Sequence, residues 1–515
     1  MDKQTIGENG AKSKHIAYNS IVLFCRMLAI MVINLYSVRI VLKALGLEDY
    51  GIFNAIAGVV LTSTFISSTL ATSIQRFYSY SLGKSSYGCL EEIFSASTNI
   101  IGGVSVIIFI LFETVGLWLI HTQLTIPEYR MSAANWVFQL ALFSFILNLI
   151  QIPYTASIFA HEDMKAYAVI SFFDYIGRFL VACLISSAGM DRLVFYSIGL
   201  LFVAACTSLV YVITAKVRYK ECRYQAVKNK GVYKEILSFS GWTMYGTVSG
   251  VAIIQGTAIL LNVFFSPITN AAYAIANQIY NASNAVCNSI VLPFRPAMIK
   301  SFAESKMDYL LRLFEISNKS IACLLLCVII PAMTEMRMVL FWWLGEVNEE
   351  MILFSRLFLI YLFCISLNSP ITTIIQATGK VRSYYLVVES ITLLCLPLTW
   401  LLFSMGMPSY FAFITMIGLG VAAHFARLVC LRHSFPPYKH IIYLTSFVLP
   451  FLVITGFSYL MASYIHAIIS DALLRFGIIA IASPIITILL VFFIGIKAQE
   501  RHLVLVFVHQ LLKRK

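Results

Sequence analysis

The feature that most constrains this chain is the length of its apolar runs. Stretches such as 18–42, 92–120 and 473–495 continue for more than twenty residues with few charges. Crossing a hydrocarbon core of about 30 Å takes roughly 20 helical residues. The runs are continuous rather than alternating, which excludes a membrane β-barrel. Of 515 residues, 60% are apolar or aromatic and 12% are charged, whereas about a quarter of a soluble domain is charged. The sequence therefore predicts an all-α integral membrane protein with about 14 transmembrane helices. No length remains for a soluble catalytic domain.

A net charge of +13 would suit a nucleic-acid partner, but the placement of the charges gives a different reason for it. With the N-terminus in the cytoplasm, 25 Lys and Arg residues fall on the cytoplasmic side and five on the other. That bias is the positive-inside pattern. It fixes the orientation, with both termini cytoplasmic, and leaves no nucleic acid to be invoked. The first seventeen residues are polar and show no cleavable signal, so the first span is expected to act as the targeting signal. The eleven cysteines are scattered without metal-ligand spacing, and no metal site is expected.

The richest basic loop, 216–235, divides the chain. It separates an N-lobe of six spans at 18–215 from a C-lobe of six at 236–430. Two more spans lie within 440–495, and a basic amphipathic tail at 496–515 is expected on the membrane surface. The halves repeat. Pro153, Thr155, Ala160 and Tyr167 recur as Pro370, Thr372, Ala377 and Tyr384, always 217 residues later. Arg76 and Asn99 recur as Arg295 and Asn318 at an offset of 219. Six spans is an even number, so the halves run the same way, as in transporters with parallel repeats related by an axis along the membrane normal.

Ionisable residues inside spans are functional candidates by default. Arg26 lies in span one, about 12 Å from its start. Asp174 and Arg178 share a face of span five. Arg295 and Arg356 lie in spans eight and ten, and Glu389 lies in span eleven. In span eight, Asn277, Asn281, Asn284 and Asn288 recur at spacings of four, three and four, with Arg295 seven residues on, all on one helix face. Span two carries a sparser stripe, Thr62, Thr69 and Arg76. Such faces are expected to line a hydrated substrate chamber. Cations outnumber acids within the spans, so the expected chamber is positive and suited to an anionic substrate. Guanidinium groups match pyrophosphate bidentately.

The segment from Arg39 through Leu45-Gly46 to Asp49-Tyr50-Gly51, followed by the Thr- and Ser-rich second span with Arg76, resembles the polysaccharide transporter family. These are the Wzx-type flippases, in the superfamily that also holds MATE drug exporters and lipid II flippases. The resemblance implies movement of undecaprenyl-pyrophosphate-linked oligosaccharide to the periplasmic leaflet by alternating access, for O-antigen, capsule or exopolysaccharide assembly. It implies no enzyme activity, a place in the bacterial inner membrane, and polysaccharide polymerase and chain-length proteins as partners alongside membrane lipids. Arg26 resembles a first-helix cavity arginine of related lipid flippases, and Arg295 a similar residue of the second lobe. An H+ or Na+ gradient is the implied drive, with Asp174 and Glu389 as the ion-coupling acids. A MATE-type multidrug exporter and a lipid II flippase are the alternatives. An O-antigen polymerase is disfavoured, because the non-cytoplasmic loops are short and the longest, near 334–350, is mostly acidic.

The orientation is open to a direct test. Alkaline phosphatase fused after Lys230 should be inactive, and the same enzyme fused within the 405–409 loop should be active. The reverse pattern would invert the topology.

Overall fold

The computed structural model describes residues 3–61, 63–84, 87–122, 126–227, 230–265, 267–345, 347–496 and 501. Every regular element among them is helical. Hydrocarbon demands this, since a helix satisfies its backbone groups within one segment. Twelve helices among the described residues are long and apolar enough to span, from Tyr18–Gly46 to Ala472–Gly495. The predicted spans two and eight are also helical, as Thr64–Gly83 with the turns before it and as Pro267–Ala303, but both are too polar to join the twelve. These are the two spans predicted to carry polar stripes. Thr62 and the expected surface tail lie outside the described residues, apart from Ile496 and Arg501.

The chain forms two compact units. One is Asn19–Thr247; the other is Val248–Lys515 together with Met1–Tyr18. The opening helix Lys3–Leu61, which belongs to the first unit from Asn19 onward, breaks at Gly46, whose φ of 84° and ψ of 170° suit only glycine. The break turns the chain from span one into span two and sets Asp49 at the turn. Arg130, at the start of span four, grips Asp49 through two bonds of 2.8 and 2.6 Å. It also holds Asp191 at 2.5 Å, and Asp191 in turn caps span six through the amides of Leu193 and Val194. Three links are thus tied by one guanidinium.

The second unit carries a tie at corresponding places with different chemistry. Glu350, at the start of span ten, accepts from Thr269 at 3.0 Å and from Ser409 at 3.1 Å. Thr269 opens span eight, and Ser409 precedes span twelve.

The repeat also has a backbone signature. Span four breaks at Gln151, between Met131–Ile150 and Ile152–Ala160. Span ten breaks at Leu367, between Glu349–Ser366 and Asn368–Thr378. Each break lies just before a proline of the 217 offset, Pro153 or Pro370. Proline has no N–H for the carbonyl four residues earlier, so the ladder is interrupted at the same point. The turns that end these spans use positive φ at Glu162 (60°) and Gly379 (78°), again 217 residues apart.

The start of the basic loop packs against the first unit. Glu221 and Cys222 are buried. Glu221 faces His161 at 3.3 Å, and the Gln225 amide donates to Ser95 at 2.9 Å. In the second unit, spans thirteen and fourteen pack on span nine, Met307–Thr334. The buried Glu335 carboxylate fastens them, receiving His466 and Arg475 at 2.7 Å each.

The Arg130 tie has a defined pH range. Burial alone would raise the Asp191 pKa, but the Arg130 hydrogen bond and charge, with the Val194 and Leu193 amides, leave it below the ordinary 3.8. A depressed carboxylate stabilises the fold above its ordinary pKa, and that stability is lost as pH falls through the folded value. Arg130→Met should cost about 1 kcal/mol, since two acids lose their shared donor but Asp191 stays open to water. Thermal unfolding should show a constant gap to wild type between pH 8 and 5 that closes only below pH 3.8. A gap already closed at pH 5 would refute the tie.

Candidate functional site

Exposure sorts the helices by what they touch. Most spans display large apolar side chains, such as Ile107, Phe202, Leu460 and Ile481, each at least 65% exposed. Those faces suit hydrocarbon. Span eight differs. Between Ala274 and Asn288 its exposed residues are Ala274, Gln278, Asn281, Ala282, Ala285 and Asn288. No large apolar residue is exposed between Ile268 and Phe341 among the described residues. The opposite face of span eight is buried through Ala272, Tyr273, Ala276 and Cys287. It packs into an aromatic core with Phe358 and Phe413. Asn277 and Asn284 lie half-buried at the edges of the open face. A membrane-crossing helix that turns its bulk inward and amides outward has a face unsuited to lipid.

In the first unit, Arg26 docks on span five, Met164–Leu184. Its Nε donates to the Ser171 hydroxyl at 2.5 Å and one Nη lies 3.4 Å from the Tyr167 hydroxyl. The guanidinium also stands 4.7 Å from the Tyr167 ring centroid, a cation–π arrangement. Further along that face, Arg178 holds Asp174 at 2.9 Å, and Thr207 donates to the same carboxylate at 3.0 Å. Tyr167, Ser171, Asp174 and Arg178 repeat the four-three-four spacing of the span-eight amides. Arg178 is thus neutralised by a carboxylate, whereas the hydrogen-bond partners of Arg26 are neutral.

Other predicted site residues are placed differently from the expectation. Thr69 and Arg76 do not form an exposed face: both are buried. The Arg76 guanidinium lies about 5 Å from each of Phe77, Tyr80 and Phe239, enclosed by aromatic rings that the sequence pattern alone did not bring together. Arg356 donates to the Met333 carbonyl at 2.8 Å. It caps the last turn of span nine, whose carbonyls have no intrahelical partner. Arg295 is half-buried beside Tyr385, at the end of the amide stripe.

Glu389 is not an open acid. Arg427 bonds it at 3.2 Å, and Thr392 donates to it at 3.1 Å. Arg427 also donates to Tyr384 at 3.1 Å, which meets Thr372 at 2.7 Å. The helix Phe411–Ser434 runs seven residues past Arg427 and buries it. The polar pair His424 and Arg427, three apart within a span, was the overlooked signal. His424 faces Asn368 at 2.6 Å.

Residues 13–302 match the family model described as polysaccharide biosynthesis protein. No curated protein sequence matches the chain significantly. Among solved structures, a MATE transporter in the straight conformation aligns at a TM-score of 0.71 with 12% identity, covering 82% of this chain and 96% of that one. A MATE transporter from Vibrio cholerae aligns at 0.67 with 14% identity, over 84% and 98%. A MOP superfamily transporter from Pyrococcus furiosus, whose binding pocket is described as of reverse polarity, aligns at 0.69 with 13% identity, over 82% and 95%. At such identities the likeness establishes the fold.

The buried pair predicts a specific pattern. Glu389→Gln or Arg427→Gln alone should cost about 3–5 kcal/mol, because each strands a buried charge. The double variant should recover much of the loss. Thermal unfolding of the detergent-solubilised protein reads this, and additive losses would show that the two groups are uncoupled.

Proposed function

The chain belongs to the polysaccharide biosynthesis protein family, and from that membership we propose that it flips undecaprenyl-pyrophosphate-linked oligosaccharide across the bacterial inner membrane. Transport runs by alternating access and supplies O-antigen, capsule or exopolysaccharide assembly. The polymerase and chain-length proteins of that assembly are the proposed partners, and both termini lie in the cytoplasm.

The observation that carries this reading is the pairing of the cations. Arg130, Arg178 and Arg427 each bond a carboxylate. Arg26 is held by hydroxyls and a ring, so it is fixed in place while its charge is not cancelled by those partners. A positioned guanidinium of that kind suits pyrophosphate, which it can bind through charge-assisted bonds. It would repel the cationic drugs of a MATE-type exporter, the reading that the fold alone would favour. A lipid II flippase shares the headgroup chemistry and differs in the glycan.

An H+ or Na+ gradient is the proposed drive, with Asp174 and Glu389 as the ion-coupling acids. Each is held by a guanidinium, Arg178 or Arg427, so a change at either acid would be felt in the packing of its helix.

Complementation tests the assignment. In the source bacterium lacking this gene, wild type should restore surface glycan, Arg26→Ala should not, and Arg26→Lys should restore it in part, at matched membrane levels. Intact glycan in the deletion strain, with new sensitivity to cationic drugs, would overturn it.

A further inference from the structure

We propose that the open face of span eight is a sugar-binding track, on which the glycan of the lipid-linked substrate lies along the amides while its pyrophosphate meets Arg295. This rests on the flippase reading and names the part of the protein that reads the carbohydrate.

Three properties of the face support the assignment. The first is its chemistry. Asn277, Asn281, Asn284 and Asn288, joined by Gln278, offer groups that both donate and accept hydrogen bonds, as sugar hydroxyls require. The helix Pro267–Ala303 contains no acid, and its only charged residues are Arg295 and Lys300. Nothing on it would attract a cation.

The second is spacing. Steps of four, three and four residues advance about 4.5–6 Å along the axis, close to the length of one pyranose ring. Successive amides can therefore address successive sugars. Asn277 lies about 27 Å from Arg295 along the axis, room for several residues of a chain. The end of the track is anionic-selective. Arg295 is flanked by Pro293 and Pro296 and lies on the same face seven residues beyond Asn288.

The third is relief. Ala274, Ala282 and Ala285 separate the amides and are exposed together with Gln278, Asn281 and Asn288. A ring can lie flat on a methyl-lined floor between two amide posts. Gln278, Asn281 and Asn288 stay open; had they served helix packing they would be covered, as the Tyr273 and Cys287 side is.

Binding of defined lipids to the purified full-length protein in detergent separates this proposal from the reading beneath it. The probes are undecaprenyl pyrophosphate without sugar, with one sugar and with four. Wild-type affinity should rise with each added sugar. Asn281→Ala and Asn288→Ala should each weaken the four-sugar lipid about 3- to 10-fold and leave the sugarless lipid unchanged. Both positions are exposed, and alanine favours helix, so unfolding midpoints should match wild type. Arg295→Gln should weaken all three lipids alike. If affinity is independent of glycan length, or if the Asn variants weaken the sugarless lipid equally, the track is overturned and the flippase reading stands. If none of the three lipids binds wild type, the flippase reading falls and the track falls with it.

Discussion

Hydrocarbon offers no hydrogen-bond partner, and that single deficit organises this molecule. A polar side chain in a span must find its partner inside the protein or face water; otherwise it costs several kcal/mol. Most polar groups here take the first course. Asp174 has Arg178 and Thr207, and Glu389 has Arg427 and Thr392. The exposed amides of span eight, Gln278, Asn281 and Asn288, have only the second course left to them. A face that lipid cannot cover is one that a polar substrate can.

The two units meet the same mechanical demand with different side chains. Each ties the link into its second span to the start of its fourth and the link before its sixth. The first unit uses Arg130 between two aspartates, and the second uses Glu350 between two hydroxyls. The segment around Gly46 and Asp49, which carried the family resemblance, gains a physical meaning from this. Gly46 supplies the left-handed turn and Asp49 the anchor, so the motif marks a structural corner. The substrate contacts proposed above do not involve this corner.

Much of this was legible in the sequence because it depends on local rules. Continuous apolar runs gave the spans, and Pro153 and Pro370 at a constant offset marked two equivalent helix breaks. The four-three-four spacing of the asparagines fixed their common face, and the absence of other charges around them left that face polar and neutral. What was not legible depends on which side chains other helices bring. Arg76 reads as a lining residue until Phe239 of span seven is placed over it. Arg356 reads as a cavity cation until the Met333 carbonyl arrives from span nine. Arg427 has no partner on its own helix until span eleven brings Glu389 and Tyr384 to it. In each case periodicity gave the direction of a side chain on its own helix and said nothing of its neighbour.

The central claim is that the face of span eight bearing Asn281 meets water and not lipid. Thiol accessibility in intact membranes tests it most directly. In a background with the native cysteines replaced, single cysteines are placed as Ala274→Cys, Asn281→Cys and Ala285→Cys on that face, and as Ile107→Cys and Ile481→Cys on lipid-facing helices. A charged, water-borne maleimide should label the first three and spare the last two. Equal protection at all five positions would contradict the account.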